Sequence, residues 1–297
     1  MNELTDSTHL LDEPEQLQER MAQNGYVLLR SVLPREDIQD TADAVTEAFQ
    51  EGNWLDGSGV AQKERASTPH QERDPAYRKA AQTAAFNKLP YLPELKTVIQ
   101  KILEGDVFSH PSKVLRATPP ASWTIESGRY VHQDFSYWGV NDMLTTWIPL
   151  MDIPRELGGL AVQPGSQTGP PQPLRVLTGE EQGWATTDYR LGDVIIFHCF
   201  TAHAALPNKT TLLRRSADFR WQRTSEPVRR EFILGQGTRT DELFSRRFQS
   251  KPWWRPVPAE VPLIEGMWDQ IIRPNASRFF PVHQAWQTFE GAKEETA

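Results

Sequence analysis

His132 and Asp134 stand two residues apart in the segment YVHQDFSYW (130–138). In an extended strand, residues i and i+2 point to the same face, so both side chains could reach one metal ion. An imidazole and a carboxylate together suit a borderline divalent cation such as Fe(II). A third ligand is needed, and the segment VIIFHCFTAHAALPNK (194–209) offers two imidazoles, His198 and His203. His198 lies inside an apolar run, where a histidine reads as a buried, hydrogen-bonded core residue. His203 follows that run, near the turn at Pro207-Asn208, and is 71 residues beyond His132 (203 minus 132). It is the expected third ligand, because a ligand belongs at a strand end near the mouth of a barrel. Two histidines and one carboxylate occupy one face of an octahedron and leave positions open for a co-substrate and O2. A His-x-Asp pair alone arises often by chance, so the elements around it have to support the assignment.

Those elements change character along the chain. Residues 13–23 suit a short helix ended by Asn24-Gly25, and YVLLRSVL (26–33) reads as a strand. Pro34 opens a helix over 35–51 with apolar residues at Ile38, Ala42, Val45 and Phe49. Residues 52–68 read as a loop, and two further helices fit 75–88 and 92–104. From residue 107 short apolar runs alternate with turn signals: SKVLRAT, GRYVHQDF, MLTTWIPLMDI, GGLAVQPGS, DVIIFHCFT and RSADFRWQ. Such spacing predicts a β-sandwich or barrel. Helices first and strands later make this an α+β chain with the helices packed on one side. In a barrel, strands remote in sequence become neighbours, which is what a distant third ligand requires. Residues 1–12 read as a loose N-terminal tail, 13–223 as the main domain, and 224–297 as a C-terminal extension that packs on the barrel. The extension is too apolar for a disordered tail, with KPWWRP and RFFPVHQAWQTF in it.

Composition excludes several classes. The net charge is −7 over 297 residues, and the arginine pairs are scattered, so no nucleic-acid-binding face is expected. No apolar run approaches the ~20 residues of a membrane helix, and the N-terminus lacks the basic and apolar regions of a signal peptide. A single cysteine, Cys199, fits a reducing compartment and reads as a buried small hydrophobe. The expected location is the cytoplasm, and the expected partner is a small-molecule substrate.

The order HQD (132–134), then TWIPLMDIPRELGGLAVQPGSQ (146–167), then LGDVIIFHCFTAHAALPNKTTLLRRSADFRWQ (191–222), resembles the phytanoyl-CoA dioxygenase family. With NGYVLLRSVLPREDI (24–38) upstream, the resemblance covers roughly residues 15–223. It implies a double-stranded β-helix, the jelly-roll or cupin-like barrel, with N-terminal helices on one sheet. It implies Fe(II) held by His132, Asp134 and His203, with 2-oxoglutarate and O2 as co-substrates. An arginine eleven positions after the distal histidine grips the far carboxylate of 2-oxoglutarate in this family, and here that is Arg214, with Arg215 as the fallback. A guanidinium suits the task because its rigid fork matches a carboxylate bidentately. Trp147 matches a tryptophan that flanks the cofactor pocket, or else is an ordinary core aromatic. Some members carry a serine two places after the distal histidine. Here it is Ala205, and Thr145 or Ser216 is the candidate replacement.

Period-2 alternation in RSADFRWQ puts Ser216, Asp218 and Arg220 on the same face as Arg214. Arg220 could then meet a polar group of the substrate, or form an internal pair with Asp218. Phe135, Tyr137 and Trp138 could wall an aromatic substrate pocket, or pack beneath the helices. The implied reaction is hydroxylation of a C–H bond with release of succinate and CO2. A carboxylate at Asp134 favours hydroxylation over halogenation, since related halogenases have a small residue there; desaturation, cyclisation and epimerisation stay open. Two other classes compete: a cupin-like metal-dependent isomerase or hydrolase that does not use 2-oxoglutarate, and a non-catalytic small-molecule binder.

Overall fold

Side-chain alternation along one strand explains most of the architecture. In β9 (Arg214–Arg223), Ala217, Phe219 and Trp221 turn towards a large apolar core, while Arg214, Ser216, Asp218 and Arg220 take the opposite face. The computed structural model describes residues 1–66, 71–123, 130–138, 140–233, 250–254, 257–264 and 277–287. Strand β9 belongs to a five-stranded sheet with β2 (Tyr26–Leu29), β3 (Val107–Thr118), β4 (Leu144–Pro149) and β7 (Val194–His198). The order is β2-β7-β4-β9-β3, and each neighbouring pair is antiparallel.

Helices cover the apolar outer face of this sheet. Five of them are α1 (Pro14–Asn24), α2 (Arg35–Glu51), α4 (Pro75–Ala81), α5 (Ala84–Lys88) and α6 (Pro93–Leu103), with the short α3 (Lys63–Ala66) between. Ile38, Ala42, Val45 and Phe49 of α2 pack in one core with Val27, Leu29, Ile196 and Phe219 of the sheet. Burying each large aliphatic or aromatic side chain there stabilises by about 1.5–3 kcal/mol. The single helix expected over 75–88 is two helices, because Thr83 accepts a hydrogen bond from Phe86 N and caps a second start. The loop expected over 52–68 carries the one-turn α3.

A second sheet lies against the inner face, in the order β1-β6-β5-β8: β1 (Asn2–Glu3), β6 (Ala185–Thr186), β5 (Leu160–Val162) and β8 (His203–Ala205). Tyr26, Leu28, Trp147, Ile195 and Phe197 of the first sheet meet Leu160, Val162 and Ala185 of the second in a core between them. The loose tail expected for residues 1–12 is a correction. Asn2 and Glu3 pair in parallel with Ala185 and Thr186, Asp6 bridges to Leu28 of the opposite sheet, and a 3-10 turn spans Thr8–Leu10. Polar composition concealed this, because backbone bonds hold the segment, such as Asn2 N to Trp184 O at 2.8 Å and Ser7 N to Leu28 O at 2.8 Å.

Beyond β9, the described parts of the extension return to the body. Strand β10 (Val228–Arg229), followed by α8 (Arg230–Ile233), pairs in parallel with β11 (Leu263–Ile264). Trp253 and Trp254 pack on Tyr91. Phe280, Val282 and Trp286 form a further core with Phe135, Met143, Cys199 and Phe200, in which Trp286 belongs to α9 (Gln284–Gln287). Among the described residues no helix is long and apolar enough to cross a membrane.

Candidate metal centre

His132 belongs to no regular strand, yet one antiparallel bridge is enough to place it. His132 N donates to His203 O at 3.1 Å and His203 N to His132 O at 3.0 Å. Residues paired this way face each other directly, so the two imidazoles stand side by side with ring centroids 4.2 Å apart. The chain then turns into α7 (Phe135–Trp138), where Phe135 N donates to Cys199 O and Gln133 Nε2 donates to Phe200 O. That turn carries Asp134 across to the five-stranded sheet. Its Oδ1 lies 3.8 Å from His132 Nε2 and 3.7 Å from His203 Nε2. Among the described residues these three side chains form a cluster whose ligand atoms all lie within 4.8 Å of one another.

Both rings are oriented from behind. His132 Nδ1 is 2.7 Å from Tyr130 O, and His203 Nδ1 is 3.0 Å from Thr201 O. A carbonyl takes the proton of Nδ1, which leaves the Nε2 lone pair for a cation. Thr201 is itself tied to the end of α1, because its Oγ1 donates to Gly25 O at 2.7 Å. Gly25 ends α1 with φ of 76°, and a Cβ there would stand 2.4 Å from Gln167 Oε1 and 2.5 Å from Thr201 Oγ1. The Asn24-Gly25 signal thus fixes more than a helix end; it permits the close approach that places the carbonyl behind His203.

Charge states suit a cation. Burial pushes the His132 pKa down, against the pull of Asp134, and burial together with His132 pushes His203 down to about 3. Both rings are therefore neutral at pH 7, as ligation requires. Burial would raise the Asp134 carboxyl, but Arg220, the two imidazoles and a hydrogen bond from Thr145 outweigh it and hold the group well below the usual carboxylate range.

A small, partly open cavity lies beside the cluster. Its polar wall holds Arg116, Arg214 and Asp218 with the two histidines, and its apolar wall includes Trp147, Leu160 and Phe197. Arg214 donates to Gly158 O and, at 2.6 Å, from Nη2 to Thr118 Oγ1. Ser216 lies on the same face of β9, with an Oγ that is buried and has no hydrogen-bond partner among the described residues. A cationic fork and an unsatisfied buried hydroxyl fit a dicarboxylate such as 2-oxoglutarate.

Other expected residues fall differently. Thr145 does not face the cavity as a replacement for the missing serine; its Oγ1 donates to Asp134 Oδ2 at 2.5 Å. Arg220 lies 3.4 Å from Asp134 Oδ2 and 3.7 Å from Asp218 Oδ2, the second being the internal pair that alternation in this strand allowed. Phe135 is fully buried against Phe200 and Trp286, with ring centroids at 4.3 and 5.1 Å, and is not among the residues that line the cavity. The turn into α7 reverses its direction, which an extended reading of the segment could not foresee. The side chains of Tyr137 and Trp138 lie outside the described part of the structure. Arg215 points into the opposite side of β9 from Arg214 and does not line the cavity. His198 pairs with Asp142 at 3.1 Å and is a buried core histidine, and Cys199 is buried with its thiol pushed up by desolvation. Arg116 and Thr118 were missed. Alternation in SKVLRAT, with Leu115 and Ala117 on the helix side, is the signal that could have found them.

Two facing sheets with two imidazoles and one carboxylate buried between them, beside an arginine-walled cavity, define the class of cupin-like non-haem oxygenases. Residues 21–216 match the model of the phytanoyl-CoA dioxygenase family. The chain belongs to that family and is an Fe(II)- and 2-oxoglutarate-dependent dioxygenase. It is 29% identical over 256 residues to a 1-deoxypentalenic acid 11-beta-hydroxylase from Streptomyces exfoliatus, covering 76% of this chain and 87% of that protein. In fold it is similar to EctD from S. alaskensis with bound Fe, at a TM-score of 0.53 and 20% identity, over 90% of this chain and 92% of that one. It is also similar in fold to the epimerase SnoN in complex with Fe3+, alpha ketoglutarate and nogalamycin RO, at a TM-score of 0.50 and 18% identity, over 72% and 85% of the two chains.

Proposed function

We propose that this protein hydroxylates a C–H bond of a small molecule, with 2-oxoglutarate converted to succinate and CO2, and that its two sheets form a double-stranded β-helix. His132, Asp134 and His203 hold the iron. One observation carries the reading: three potential ligands, remote in sequence, converge between the sheets beside a cavity whose wall holds Arg214.

When bound, iron and 2-oxoglutarate would supply the activation of O2, which is the oxidant: 2-oxoglutarate would give it two electrons on conversion to succinate and CO2, and the substrate C–H bond the other two. The chain's own residues bind and orient. Arg214, with Ser216 and Thr118 as neighbouring hydroxyls, grips the far carboxylate of 2-oxoglutarate. Trp147, Leu160 and Phe197 wall the cavity against water, which protects a reactive centre from side reactions. Asp134 is a carboxylate where related halogenases have a small residue, so hydroxylation is expected over halogenation.

The carboxylic acid named for the Streptomyces relative makes 1-deoxypentalenic acid the first substrate to try. The direct test incubates the protein with Fe(II), ascorbate, 2-oxoglutarate and that acid under 18O2. Succinate is expected above a His203→Ala control, with one 18O atom in the organic product. Succinate at the control level, with or without the acid, would remove the basis for the reading. Succinate without 18O in the product would instead favour desaturation or epimerisation at the same centre.

A further inference from the structure

The two oxygens of Asp134 have different surroundings. Oδ1 faces His132 Nε2 and His203 Nε2 at 3.8 and 3.7 Å. Oδ2 accepts a hydrogen bond from Thr145 Oγ1 at 2.5 Å and lies 3.4 Å from Arg220 Nη2. Thr145 and Arg220 are direct register partners on β4 and β9, so adjacent central strands aim a hydroxyl and a guanidinium at one oxygen. Arg220 is fixed in turn. Its Nη2 is 3.7 Å from Asp218 Oδ2, and Arg116 holds that same oxygen through Nε at 2.9 Å and Nη2 at 2.8 Å. From the cavity wall inwards the charges alternate: Arg116, Asp218, Arg220, Asp134. The last three side chains are 6, 5 and 2% exposed, so solvent screens these contacts little.

We propose that Arg220, steadied by Asp218 and Arg116, is a positioning residue that acts with Thr145 to engage Oδ2 and leave Oδ1 alone to ligate the metal. The proposal rests on His132, Asp134 and His203 being the ligands. A carboxylate free at both oxygens can bind a divalent cation through both. That would fill a further coordination position. With Oδ2 engaged, Asp134 gives one ligand, and an octahedral cation keeps three positions, enough for a chelating 2-oxoacid and O2. Bare electrostatics works in the opposite direction. A buried guanidinium beside a ligand repels a cation, so on charge alone its removal tightens metal binding. Loss of an oriented outer partner weakens metal binding instead, by about 10–100-fold. The sign of the change separates the two.

Co(II) is a suitable probe, with its affinity read by competition against a chromophoric chelator and its coordination by its visible absorption. Wild type, Arg220→Gln, Arg220→Lys, Thr145→Val and His203→Ala are titrated as metal-free protein. Wild type is expected to bind one Co(II) and His203→Ala to lose it; failure of that comparison would overturn the ligand assignment and the inference with it. Given that binding, Arg220→Gln is expected to bind Co(II) about tenfold more weakly with an altered spectrum. Thr145→Val is expected to change both readouts in the same direction, and Arg220→Lys to recover part of the loss. Equal or tighter binding with an unchanged spectrum in the Arg220 variants and Thr145→Val would overturn the positioning role while leaving the metal site intact. Should Arg220→Gln fail to fold, Arg220→Lys and Thr145→Val carry the same test.

Discussion

Arg214 shows how a single side chain is both a structural tie and a binding group. Its guanidinium spans Gly158 O and Thr118 Oγ1, which holds the fork rigid at the cavity wall. Arg214→Lys keeps the charge and loses the fork, so the KM for 2-oxoglutarate is expected to rise at least about tenfold, with a smaller fall in kcat, in a succinate assay. His110 supplies a prediction outside the site. Burial, with Arg220 adding to it, pushes its pKa down to about 4, and its Nε2 is 2.8 Å from Gln222 Oε1. The unfolded chain binds this proton near pH 6.5 and the folded chain only near pH 4, so folding is penalised progressively as pH falls through that window. The penalty reaches roughly 3 kcal/mol at pH 4 and grows no further below it. Urea unfolding of metal-free protein between pH 7.5 and 4.5 is expected to show at least this slope, since His132 and His203 are shifted in the same direction, and His110→Gln to be flatter by roughly 2–3 kcal/mol. The metal cluster was legible in the sequence from His132 and Asp134 two apart in an extended segment and His203 at a strand end. The place of Arg214 on the cavity wall followed instead from the family resemblance, which implies an arginine eleven residues after the distal histidine. The places of Thr145 and Arg220 were not legible. They depend on which way Asp134 turns, and that is decided by the Phe135–Cys199 contact and the β4–β9 register rather than by any local pattern.

At the scale of elements, the turn before β5 carries unusual weight. Gly158 has φ of 79°, and a Cβ on it would lie 2.4 Å from Leu206 O and 2.8 Å from Asn208 N. Its carbonyl is also the acceptor for Arg214. Gly158→Ala is therefore expected to destabilise by more than about 2 kcal/mol and to raise the KM for 2-oxoglutarate, because the shift needed to relieve the clash moves the acceptor. Thermal unfolding and the succinate assay check the two parts separately. Helix periodicity and caps were readable here: α2 lies over 35–51 as its apolar spacing required, and Asn24-Gly25 ends α1. The segment around His132 was readable as extended, but its single bridge to His203 was not, since one pair of backbone bonds leaves no periodic signature. The break between α4 and α5 rests on one capping threonine, too small a signal to override a continuous helical pattern.

For the whole molecule, the described C-terminal residues matter because of what they press on. Trp286 is 1% exposed, packs on Phe135 and Phe200, and donates from Nε1 to Gly169 O at 3.0 Å. Phe135 follows Asp134 in the chain, and Phe200 O receives the Gln133 side chain. Trp286→Ala is expected to cost about 3–5 kcal/mol of stability, seen as a lower urea midpoint, and to loosen the turn that presents Asp134. Arg278 ties the same segment to the core, with its N–H on Asp142 at 2.9 Å and its guanidinium on Leu103 O and Glu104. The apolar residues of this region announced burial; the surface that receives them could not be named, because it is assembled from loops joined only in three dimensions.

The first six residues fasten like a clasp over one open flank of the sandwich, with Asn2 and Glu3 on one layer and Asp6 on the other. Anyone trimming that polar stretch to obtain a tidier crystallisation sample would uncover the unpaired border of β6 and unhook both layers at once. The shortened product is expected to leave a sizing column partly as multimers, as bare strand borders recruit one another.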